Sequence, residues 1–137
     1  MADLAARVAA TERVVARFRN KPFDWRAAAT CVHLARAQMR ALGHRPPTIP
    51  PFRSAPGALR ALRAAGFADV AAMLDSLLPR IAPAAMWPGD LAVIEGEPPF
   101  DAIVIGAGGK VLGWHGSMLD RGLVPIVDAP IKAAWRL

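Results

Sequence analysis

The sequence predicts an α+β fold in a single domain, with N-terminal helices packed on one face of a small antiparallel sheet. Three observations carry this. Before about residue 80 the apolar residues recur at helical spacing. Over 86–116, MWPGDLAVIEGEPPFDAIVIGAGGKVLGWHG, they gather instead into short β-branched runs. Two of these runs are joined by Gly106-Ala107-Gly108-Gly109, a strong hairpin signal. A small sheet leaves an apolar face that only the upstream helices can cover. At 137 residues the chain can bury a sizeable core. The expected division is 1–80 mainly helical, 86–128 antiparallel sheet and 129–137 a C-terminal clasp.

In order, Leu4, Val8, Thr11, Val15 and Phe18 form one stripe of a first helix that Asp3 can cap and Asn20-Lys21-Pro22 stops. Phe23-Asp24-Trp25 follows as an aromatic loop. A second helix is expected over 27–42, ended by Gly43, with Val32, Ala35, Met39 and Leu42 inward and His33, Arg36 and Arg40 on a solvated face. The stretch 45–53, RPPTIPPFR, holds four prolines and must be an extended connection. Ser54-Ala55-Pro56 opens a third helix, carrying Leu59, Leu62 and Ala65 inward and closed by Gly66. Asp69 caps a fourth, with Val70, Met73, Leu74 and Leu77 inward and Pro79 as its stop.

Trp87-Pro88-Gly89-Asp90 then turns into the strand Leu91–Ile94. Past the acidic, proline-containing loop 95–99 come a second strand over 102–105 and a third over 111–114. A fourth, over 123–127, contains Pro125 and belongs at a sheet edge. Trp135 in the tail is expected to clasp the core.

Composition narrows the function. The chain is 54% hydrophobic, much of it alanine, and no run approaches the roughly 18 residues of a spanning helix. Arg7, Glu12 and Arg13 interrupt any signal-peptide core. A lone cysteine, Cys31, excludes an internal disulfide and a cysteine-rich zinc site, and no cofactor or metal is implied. The net charge of +6 comes mostly from arginines spread along helices, with no basic block and no interleaved aromatics. That pattern reads as solvated helix faces and argues against nucleic acid as a partner.

Cys31 is the candidate nucleophile, because a thiol near a helix N-terminus sits among unpaired N–H groups that favour its thiolate. His33, two positions on, points about 200° around the axis and cannot act as its base. His115 is the better candidate. If 107–109 is the hairpin loop, Asp101 lies opposite His115 and can orient its imidazole. With a two-residue loop the register slips by one and the pair is lost. The glycine turn is followed by no helix and is not a phosphate cradle. Glu95, Glu97 and Asp101 match no cation-binding loop and read as a solvated acidic loop.

A helix with an early cysteine, then more helix, then Pro88-Gly89-Asp90, a strand and a glycine-turn hairpin resembles the NlpC-type peptidoglycan endopeptidases, which are small papain-like cysteine hydrolases. The chain is more closely similar to an uncharacterised family of phage and prophage proteins related to them, often encoded among tail genes. The likeness rests on Pro22-Phe23-Asp24-Trp25, GALRALRAAG over 57–66, Pro88-Gly89-Asp90, Gly122-Leu123-Val124 and Ala134-Trp135-Arg136-Leu137. In active NlpC-type enzymes an aspartate usually precedes the cysteine and a histidine opens the strand after the "GD" strand. Here Thr30 precedes Cys31, and Phe100 and Asp101 occupy the histidine's place. A third polar residue, expected near Gly109-Lys110, is represented only by Lys110.

The resemblance implies a structural part of a phage or prophage-like tail, at the tail tip or its assembly complex, built on a degenerate peptidase fold. It would be made in the bacterial host cytoplasm and end in the virion tail, with other tail proteins as partners. The expected contact surfaces are Pro46, Pro47, Pro50, Pro51 and Phe52, then Pro98 and Pro99, and Trp135. The alternative is an active cysteine hydrolase acting on peptidoglycan through Cys31, His115 and Asp101. A basic adaptor touching nucleic acid is a third, weaker class.

Overall fold

Asp3, Thr30, Ser54 and Asp69 each leave extended backbone and accept a hydrogen bond from the amide three residues on. Each thereby satisfies an orphan donor at a helix start. The helices they open are α1 (Leu4–Phe18), α2 (Cys31–Ala41), α3 (Ala55–Ala64) and α4 (Val70–Leu77). The computed structural model describes residues 3–116 and 118–137. The Thr30 cap corrects the expected start of α2 at residue 27. Residues 24–29 instead form a small loop closed by an Asp24–Ala29 bridge, so Cys31 becomes the first residue of its helix.

Among the described residues the strands are β1 (Arg80–Ile81), β2 (Leu91–Ile94), β3 (Ala102–Gly106), β4 (Val111–Gly113), β5 (Val124–Ile126) and β6 (Ile131–Trp135). They form one sheet in the order β1-β6-β2-β3-β4-β5, and every neighbouring pair is antiparallel. The α+β class and the Pro125 edge strand are as expected. The C-terminal stretch packs on the core through Trp135, but it does so as an interior strand, 131–135, paired on both sides. Trp135 is fully buried, so it is a core residue and not a partner-binding surface. Its ring nitrogen donates to Asp75 Oδ1 at 2.9 Å.

The helices cover one face of the sheet. α1 packs on α2, α2 on β3 and α4 on β6. Phe18, Leu34, Leu74, Ile103, Ile105 and Trp135 are central to that core, and each is at most 1% exposed. The other face holds a smaller cluster that includes Ala92, Val104, Ala134 and Ile126. Leu4 and Leu77, expected inward, are exposed at 60% and 36%. In α1 the buried place near Leu4 goes to Arg7, which an apolar-stripe reading passes over.

Arg7 is buried because of the Pro88-Gly89-Asp90 turn. The Asp90 carboxylate is fully enclosed and pairs with Arg7 and with Arg136, the latter at 2.9 Å. It also accepts the backbone N–H groups of Trp87 at 2.8 Å and Leu137 at 3.0 Å. Arg7 Nε donates to the Pro88 carbonyl oxygen at 2.6 Å. Gly89, at φ +93°, presses against Thr11 and Gln38, where a Cβ would lie 2.7 Å from Thr11 Oγ1. One turn thus ties the first helix, the second helix and the last strand together. Among the described residues no helix is long and apolar enough to cross a membrane.

Candidate functional site

Cys31 opens α2 where that helix crosses β3, and it faces a cleft of about 340 Å³. Phe23, Trp25, Phe100 and Trp114 line the cleft with it, and Glu95, Glu97, Asp101 and His115 stand around it. The aromatic loop 23–25 is held by its own rings. Trp25 lies 5.2 Å from Phe23, 5.7 Å from Phe52 and 5.8 Å from Phe100, centroid to centroid, and Phe23 lies 5.7 Å from Trp114. The lone Phe23-Asp24-Trp25 motif hinted at this cluster, but its partners at 52, 100 and 114 are brought in only by the fold.

The three expected catalytic residues therefore border one cleft, but the expected pairing within it is absent. The hairpin pairs Gly106 with Val111 and Ile105 with Leu112, one residue out of the register that would set Asp101 opposite His115. Residues 107–110 form the loop, longer than the three-residue turn the pairing needs. Asp101 binds Lys132 instead, with Nζ at 3.0 and 3.1 Å from its two oxygens. Lys132 projects from β6, a strand the sequence reading did not include.

The electrostatics disfavour a thiolate. Burial pushes the Cys31 thiol above its ordinary pKa, and hydrogen bonding from the backbone at Ile103, Cys31 and Val32 offsets this only in part. His33 cannot help. Its Nδ1 lies 2.8 Å from Thr30 Oγ1, and burial, then the Arg36 charge, lowers its pKa. His33 is half-buried beside Phe52, not on a freely solvated face. Among the described residues no group of three or more His, Cys, Asp or Glu could hold a metal ion.

The proline stretch makes a second concavity. Pro46, Pro47, Pro50 and Phe52 roof an apolar groove of about 270 Å³ over α3 and α4, while Pro51 is exposed outside it. Arg36 Nε holds the roof through the Pro47 carbonyl oxygen at 3.0 Å. Pro98 borders the thiol cleft, and Pro99 is exposed beside it.

Residues 3–137 match the family model described as "Domain of unknown function (DUF6950)", and the chain belongs to that family. No curated protein and no solved structure matches it.

Proposed function

We propose that this chain is a structural component of a phage or prophage-like tail, a docking module on a papain-like fold that has lost its reaction. One observation carries the loss. Cys31 starts a helix packed on β3, and the two residues just before that strand, where the resemblance would put a base, are Phe100 and Asp101. Phe100 is a ring packed on Trp25, and Asp101 is committed to Lys132. A thiol whose pKa burial raises is mostly protonated at neutral pH and is a weak nucleophile. The tail assignment rests on the resemblance of the motifs at 22–25, 57–66, 88–90, 122–124 and 134–137. The exposed parts of 46–52 and 95–99 are the surfaces offered to neighbours, now without Trp135.

The test is co-assembly. The full chain, expressed with the tail-tip genes of a phage that encodes it, should purify in the tail complex, and Cys31→Ala should do so equally. Failure of the chain to enter any tail particle would sink the proposal. The second reading, an active peptidoglycan hydrolase, is favoured by the presence of Cys31, Asp101 and His115 around one cleft. It requires that muropeptides be cleaved by the wild type and by neither Cys31→Ala nor His115→Ala.

A further inference from the structure

α1 and α2 pack side by side, and the furrow between them is basic. Arg13 and Arg17 on α1 and Arg36 and Arg40 on α2 all line one open hollow of about 790 Å³. Each pair is one turn apart, about 6 Å along its helix. The rest of the wall is largely small or aliphatic, with Val14, Ala37 and Ile49 in it, and among the described residues no Asp or Glu lines it. Among the described residues the recorded ion pairs include none of these four arginines. Arg36 is fixed at the edge by its bond to Pro47. His33, also in the wall, is held against protonation by its burial first and by the Arg36 charge second. Four like charges around one hollow repel one another, and an anion lying among them relieves that cost.

We infer that, contrary to the expectation from the spread of arginines along the sequence, this furrow binds the phosphodiester backbone of single-stranded nucleic acid, because the fold gathers four of them around one hollow. Two rows of guanidinium groups, repeated at a helical turn, suit a chain of regularly spaced phosphates better than one compact anion. A trough between two packed helices, whose axes run about 8–10 Å apart, admits one strand, whereas a duplex would rest on its ridges. Of the two aromatic rings in the wall, Phe18 is 1% exposed and His33 is half-buried with its Nδ1 2.8 Å from Thr30 Oγ1, so neither is an open platform for bases to stack on. Binding is therefore electrostatic, tolerant of sequence and steeply salt-dependent. A membrane surface fits less well. The large exposed apolar side chains Leu4, Leu77, Trp87 and Val127 all lie outside the furrow, leaving nothing there to insert. This inference is independent of the thiol cleft and of the tail assignment.

The experiment is fluorescence anisotropy of labelled oligothymidylate and of a mixed-sequence oligonucleotide, titrated with the full chain over a range of salt. Equal affinity for the two is expected, with a log–log salt slope of about −3 for four phosphates at about −0.7 each. Arg13→Glu with Arg40→Glu should weaken binding by at least about tenfold and flatten the slope. Arg60→Glu with Arg63→Glu, exposed on α3, makes the same change in net charge and should leave both nearly unchanged. Arg13→Gln with Arg40→Gln gives the same reading should the reversed pair not fold, checked by circular dichroism. Equal loss in the furrow and α3 variants would leave only the general attraction of a +6 chain and overturn the inference. So would furrow-dependent binding to anionic phospholipid vesicles with none to the oligonucleotides.

Discussion

Arg7 and Asp90, 83 positions apart, form an ion pair in the protein interior, their side chains 7% and 0% exposed. Desolvating two charges is costly, and the geometry offsets that cost only because every part of the carboxylate is used. Asp90 also holds Arg136 and two backbone amides. Removing the carboxylate leaves Arg7 buried without its counter-charge. Asp90→Ala is expected to cost about 3–5 kcal/mol of stability, read as a lower urea midpoint at unchanged m. The exposed Asp75–Arg80 pair makes a control, and Arg80→Ala should move the midpoint far less. A small shift in both would show that the turn is not the tie between the termini.

Gly89 and Gly108 both lie at positive φ, +93° and +81°, but only Gly89 is crowded. Gly108→Ala should therefore cost about 1–2 kcal/mol, the backbone penalty alone. Gly89→Ala adds the collision with Thr11 Oγ1 and Gln38 Nε2 and threatens the 3.0 Å bond from Gln38 Nε2 to the Gly89 carbonyl oxygen. It should cost clearly more. Equal costs in thermal melts would mean that the contact with α1 and α2 is loose.

These two residues also mark how far the sequence could be read. Pro88-Gly89-Asp90 is visible as a turn before a strand, and Asp3, Ser54 and Asp69 are visible as helix starts. Their local chemistry decides those outcomes. What the turn touches is decided by chain segments far away, so Arg7 looked like a charge on a surface helix. β6 is hidden in the sequence for a related reason. Ile131-Lys132-Ala133-Ala134-Trp135 has two alanines at its centre and little strand preference of its own. It is a strand because β1 and β2 pair with both its edges. The hairpin was legible but not its register, since a run of glycines fits loops of several lengths and one residue reverses every side chain. Cys31 could be singled out from its place at a helix start, whereas Lys132 as the partner of Asp101 could not, because β6 was unseen.

His33 should show acid-side linkage. Its folded pKa lies below 6.5 because of burial and, secondarily, Arg36. The unfolded chain therefore takes up a proton first as pH falls. The contribution to stability is full above about 6.5 and is lost as pH drops towards the folded value. His33→Gln should flatten that part of the stability profile. Arg36→Gln should raise the His33 pKa, followed by NMR, without restoring it fully, because burial remains. An unshifted His33 in Arg36→Gln would remove Arg36 from the account.

Cys31 should behave in the opposite direction, and it bears on function. Its folded pKa is raised, chiefly by burial. The thiol should thus alkylate more slowly at pH 7 than a free cysteine, with a rate that climbs only above the free value of about 8.5. The sign for stability follows. Below about 8.5 both states hold the proton and the contribution is unchanged; above it the unfolded chain ionises first, so stability falls as pH rises towards the folded pKa. Cys31→Ala should lack this alkaline loss. His115→Ala should leave the alkylation profile where it was, since no base activates the thiol in the proposed reading. A thiol that instead reacts fast at neutral pH, and slows when His115 is removed, would mean that the cleft assembles a working pair. That outcome would favour the hydrolase reading over the docking module.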